Sequence, residues 1–96
     1  MVTRMPKITR CTATQCAYNK DEHCHALGIT VGDGECPLCD TAYPSAMKGG
    51  ADNVEGSVGA CRATDCKFND SLECGARSIE VTIHHDHAEC ETYSEI

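Results

Sequence analysis

At 96 residues, with one Phe, three Tyr and no Trp, the chain is too short and too poor in large apolar side chains for hydrophobic contact alone to hold two separate halves. A formal net charge of −7 argues against a broad nucleic-acid surface. No apolar run is long enough to serve as a secretory signal or to span a membrane, so a cytoplasmic location is the expectation.

Residues 1–10 carry Arg4, Lys7 and Arg10 and read as a short, solvated N-terminal arm. From Cys11 the cysteines form a grid that is written twice. Cys11, Cys16 and Cys24 recur as Cys61, Cys66 and Cys74, and Cys39 recurs as Cys90 after a one-residue insertion. Residues 11–31 align with 61–81 without a gap, and nine of the twenty-one positions are identical. Besides the cysteines these are Ala13/Ala63, Thr14/Thr64, Asn19/Asn69, Ala26/Ala76, Ile29/Ile79 and Val31/Val81, with Tyr18/Phe68 an aromatic pair. The repeat thus includes packing positions as well as thiols, and the duplicated object is a small folding unit.

Asn19-Lys20-Asp21 and Asn69-Asp70-Ser71 are turn formers at matching places. Ile29, Thr30 and Val31, and the alternation of Ile79, Val81 and Ile83 with Glu80 and Thr82, predict strands. No segment has the periodicity of a helix longer than about two turns. Residues 44–59, rich in Gly, Ala and Ser, read as a flexible linker. The predicted fold class is therefore small metal-stabilised domains: two tandem four-cysteine zinc-binding units, 11–43 and 60–96, built of short β-strands and irregular loops.

Regularly spaced thiols in a reducing compartment point to metal ligation before disulfides, and nine cysteines leave at least one thiol unpaired under full pairing. The ligand sets are Cys11, Cys16, Cys24 and Cys39 in the first unit and Cys61, Cys66, Cys74 and Cys90 in the second. Four soft donors suit structural Zn²⁺, two ions per chain. A four-cysteine set also holds iron, although these spacings match neither ferredoxin pattern.

Cys36 and His87 each stand three residues before the fourth cysteine, as a fifth donor that would serve as an exchange ligand or remain a bystander. Cys36-Pro37-Leu38-Cys39 has the form of a redox dithiol, without the strand-to-helix context that activates one. His23 and His25 flank Cys24; His84, His85 and His87 cluster beside Asp86 and read as a titrating hydrophilic loop, with an accessory metal site as the alternative. Asp40, Glu89, Glu91 and Glu95 read as solvated charges. No nucleophile and base pair or phosphate-cradling loop emerges, and no enzyme is expected.

The pattern Cys-x4-Cys-x-aromatic-Asn, then Cys-x-Ala with Ile-x-Val, then Cys-acidic-Thr resembles the small bacterial proteins of the domain-of-unknown-function family DUF1540. Its bearers are Cys11, Cys16, Tyr18, Asn19, Cys24, Ala26, Ile29, Val31, Cys39 and Thr41, and in the second copy Cys61, Cys66, Phe68, Asn69, Cys74, Ala76, Ile79, Val81, Cys90, Thr92 and Tyr93. The resemblance implies cysteine-rich metal-binding modules and supplies no activity. The first copy departs by reading Cys39-Asp40-Thr41-Ala42-Tyr43 and by holding the extra Cys36. The functional expectation is a tandem zinc-binding module acting as a protein-interaction or regulatory adaptor. Zinc buffering, sensing or transfer is the alternative, and a thiol redox switch the third. The expected partner is another protein, with neither nucleic acid nor membrane.

Overall fold

Nine short strands form in chain order: β1 (Lys7–Cys11), β2 (Asn19–Lys20), β3 (His23–Cys24), β4 (Ile29–Val31), β5 (Val58–Cys61), β6 (Asn69–Asp70), β7 (Glu73–Cys74), β8 (Ser78–His84) and β9 (His87–Cys90). The computed structural model describes residues 5–32, 37–84 and 87–96, and no helix occurs among them. Strands appear where β-branched residues alternate, at Ile29–Val31 and Ser78–His84, as the sequence predicts.

The pairing between strands runs across the repeat. β1, which opens the first copy, lies parallel to β8 of the second, with Ile8 opposite Ile79 and Cys11 opposite Val81. β5, which opens the second copy, lies parallel to β4 of the first, with Val58 opposite Ile29 and Cys61 opposite Val31. Both pairs slip register at the same place, between Ile8 and Arg10 and between Val58 and Ala60. Each therefore carries a bulge, at Thr9 and at Gly59. The halves exchange their opening strands.

A pseudo-two-fold axis passes between β1 and β5. Lys7 faces Ser57 in an antiparallel bridge, the Ile8 N–H donates to the Gly56 carbonyl at 2.8 Å, and the Val58 N–H donates to the Pro6 carbonyl at 3.0 Å. On the far side of the molecule Leu38 bridges Glu89, and Val31 bridges Cys39 as Val81 pairs Cys90. Hydrogen bonding thus runs in a closed circuit: β1, β8, β9, residues 37–39, β4, β5 and back to β1.

Inside the circuit the core is the union of two equivalent sets. Ile8 and Val58, Ile29 and Ile79, and Val31 and Val81 are all at most 4 % exposed, and Ala13, Ala26 and Ala63 fill between them. Fully burying a Val or Ile contributes roughly 1.5–3 kcal/mol, so six such residues in one cluster do what neither trio could do alone. The radius of gyration is 12.2 Å, against about 12.5 Å for one domain of this length.

Two boundaries drawn from the sequence fall differently. The expected arm, 1–10, contains most of β1, whose Ile8 is wholly buried. The expected linker, 44–59, ends inside β5 and is bonded along the first unit. Ser45, Gly49, Ala51 and Gly56 donate their N–H groups to the carbonyls of Gln15, Ala17, His25 and Cys24. Low apolar content suggested mobility, but backbone groups can be tied without apolar side chains. Gly50 adopts φ 85°, and a Cβ there would stand 2.5 Å from the His25 carbonyl oxygen, so glycine is what lets the segment lie this close.

Candidate metal centres

Each unit builds its thiols on the same local frame. After the first cysteine, an N–H to carbonyl bond from Cys16 to Ala13, or from Cys66 to Ala63, turns the chain back at 3.0 Å. A two-residue hairpin follows, β2 to β3 or β6 to β7, with both loop residues left-handed: Asp21 and Glu22 at φ 54° and 63°, Ser71 and Leu72 at 55° and 67°. Asn19 ties this hairpin to the first thiol. Its Nδ2 donates to the Cys11 carbonyl at 2.7 Å while its Oδ1 accepts from the Glu22 N–H at 3.2 Å. Asn69 repeats both bonds, to Cys61 at 2.9 Å and from Leu72 at 3.3 Å.

The fourth cysteine is placed by a threonine two residues on. Thr41 Oγ1 accepts from the Thr30 N–H, and Thr92 Oγ1 from the Glu80 N–H, both at 3.1 Å. In this way the loop bearing Cys39 or Cys90 is fastened to the strand of its own unit.

The result is two equivalent cavities. Cys11, Cys16, Cys24 and Cys39 line a void of about 20 Å³ together with Ile8, Tyr18 and Ile29. Cys61, Cys66, Cys74 and Cys90 line one of about 10 Å³ with Val58, Phe68 and Ile79. Such volumes suit about one water-sized particle. All eight thiols are free of disulfide bonds. They converge on the cavities without closing on a point: among the described residues no group of three or more His, Cys, Asp or Glu side chains stands at ligating spacing.

Backbone amides point at the sulfurs. Cys24 Sγ receives the Ala26 amide and Cys39 Sγ those of Thr41 and Ala42, and Cys16 Sγ accepts from the Tyr43 N–H at 3.4 Å. The second site repeats this with Ala76 on Cys74 and with Thr92 and Tyr93 on Cys90. Amides favour thiolate, but burial outweighs them. It pushes Cys39 up to about 12 and Cys90 up to about 11, and neighbouring thiols push further in the same direction. Burial likewise raises Cys24 and Cys74. At Cys24, Cys39, Cys74 and Cys90 burial thus opposes the charge that the backbone amides favour, and a soft cation would offset that burial. Donor type and number in each cavity are those a soft ion takes, whereas the spacing of the thiols in this structure is not that of a closed site.

A family model described as Domain of Unknown Function (DUF1540) matches residues 9–49 and again 60–93. The chain is a tandem-repeat member of the DUF1540 family. No curated protein and no solved structure matches it. The DUF1540 matches split where the copies split, yet each begins inside an opening strand, β1 or β5, that pairs with the opposite half.

Of the two fifth donors, Cys36 lies outside the described residues. His87 is exposed and lines an open groove over Cys16 and Cys39 of the first unit, among residues that do not include Cys90. An odd separation along β9 sends the two side chains to opposite faces. His84 Nε2 lies 2.6 Å from Glu91 Oε2, which holds its imidazole above and the carboxyl below their ordinary values. His25 Nδ1 lies 3.0 Å from the Val54 carbonyl. Sequence reasoning named Val31 and Val81 as packing positions but did not place them in the other half's cavity, where Val81 and Ala88 wall the first site and Val31 and Pro37 the second. One signal was present. Ile8-x-x-Cys11 and Val58-x-x-Cys61 extend the repeat upstream of its first thiol.

Proposed function

We propose that the chain is a non-catalytic, cytosolic zinc-holding module whose two four-cysteine sites keep a protein-docking surface in shape. Cys11, Cys16, Cys24 and Cys39 would hold one Zn²⁺ and Cys61, Cys66, Cys74 and Cys90 the other; bound zinc supplies the positive charge that makes buried thiolates stable. The observation that carries the reading is the double role of Cys16 and Cys39. Both line the first thiol cavity and also the open groove beside it, with Leu38, Tyr43, Pro44 and Ile83. Whatever fixes those sulfurs fixes that groove. The adaptor acts as one body, because residues 44–59 are bonded to the first unit.

Native mass spectrometry of protein purified from cells, with elemental analysis, tests the metal half of the reading. Two zinc ions per chain are expected; a chain carrying none overturns it. Affinity capture with loaded and stripped chain tests the adaptor half. Equal capture of the same partner by both forms would remove the role given to metal.

Zinc buffering or transfer is the second reading, supported by the partial exposure of Cys16, Cys39 and Cys90. It requires rapid loss of zinc to a competing chelator, whereas a structural role predicts slow loss. The redox reading draws less support, because burial raises Cys39 where a reactive thiol is lowered.

A further inference from the structure

We propose that the two cysteine sites load as one: metal in either site raises the affinity of the other. This rests on the reading that both sites hold metal. The first cavity takes its four thiols from residues 11–39 but part of its wall, Val81 and Ala88, from the second half. The second takes its thiols from residues 61–90 and Val31 and Pro37 from the first half. Neither cavity is complete within its own repeat.

The walls are bonded to the thiols they do not belong to. Val81 is the register partner of Cys11 and its carbonyl accepts from the Thr12 N–H at 2.9 Å; Val31 is the partner of Cys61 and accepts from the Arg62 N–H at 2.8 Å. The fourth cysteines are joined more directly. The Cys39 N–H donates to the Ala88 carbonyl, two residues before Cys90, and the Cys90 N–H donates to the Pro37 carbonyl, two residues before Cys39, both at 2.9 Å. Drawing Cys39 onto an ion therefore orders Pro37 and Ala88 together, one the wall of each cavity. The ordering cost met by the first ion is not met again by the second, which is positive coupling between sites.

The test is a Zn²⁺ titration of the stripped full-length chain, read by native mass spectrometry as the fractions with no, one and two ions. Two equal independent sites give about half the chains singly loaded at one ion per chain. Coupling predicts that empty and doubly loaded chains dominate there. A singly loaded fraction of about half or more overturns the coupling and leaves the metal reading intact, while a chain that takes up no Zn²⁺ at any excess overturns both.

Chelator competition on Cys24→Ser gives a second readout. The variant impairs the first site, and the Zn²⁺ affinity of the intact second site is expected to fall at least about tenfold. An unchanged second-site affinity would likewise overturn the proposal.

Discussion

Asn19 shows how much one polar side chain can organise in a chain with few apolar ones. It is 2 % exposed and joins the first thiol's carbonyl to the left-handed hairpin loop through two hydrogen bonds. Asn19→Ala leaves a carbonyl and an amide without that partner and is expected to cost about 1–3 kcal/mol, read by denaturant unfolding of the loaded protein. Gly56 is as constrained for a different reason. A Cβ there would lie 2.6 Å from Cys24 Sγ, so Gly56→Ala is expected to displace that sulfur and weaken the first site several-fold in chelator competition while the fold persists. The thiols themselves predict a pH dependence. Unfolded cysteine ionises near about 8.5, whereas Cys39 and Cys90 in the metal-free fold are pushed up to about 12 and about 11. Groups raised on folding lend stability that is complete below the unfolded value and is lost as pH rises through the folded one. The stripped chain should therefore lose its β circular dichroism between about pH 9 and 12, and the loaded chain, already thiolate, should not. At this scale the sequence was informative about identity and silent about role. The recurrence of Asn19 as Asn69 and of Thr41 as Thr92 was visible, but a hydrogen bond to a distant backbone group leaves no spacing pattern.

The hairpins and strands were the easier elements to read. β-branched alternation marks β4 and β8, and turn formers mark the β2–β3 and β6–β7 loops, because strand period and turn chemistry are local properties. The second loop is the less well matched to its backbone, since Leu72 sits at φ 67° with its side chain about half exposed. Leu72→Gly removes the Cβ penalty there and is expected to raise stability by roughly 0.5–1 kcal/mol, measured by thermal unfolding of the loaded chain. β1 and β5 were harder. Each is short, flanked by polar or small residues, and paired to a strand about seventy or thirty positions away in sequence, which no local periodicity can report. Their register is legible only in retrospect, from Ile8 and Val58 standing at the same distance before the first thiol of each copy.

For the whole molecule the consequence of exchanged strands is that the two copies stand or fall together. Denaturing the loaded chain is expected to give one transition by circular dichroism and by tyrosine fluorescence alike; two separated transitions would mean that the halves hold independently. The sequence counted the two repeats and left open whether they sit apart or fold together, because a duplicated motif looks the same whether its copies are beads or a clasp. The closed hydrogen-bonded circuit has a further effect, on solubility. Open sheets leave edge strands whose bare N–H and C=O groups can recruit another chain, and a small domain with a thin core opens often enough for that to matter. Here the six segments of the circuit each have a neighbour on both sides. A protein with little greasy surface to hide has hidden its stickiest backbone instead.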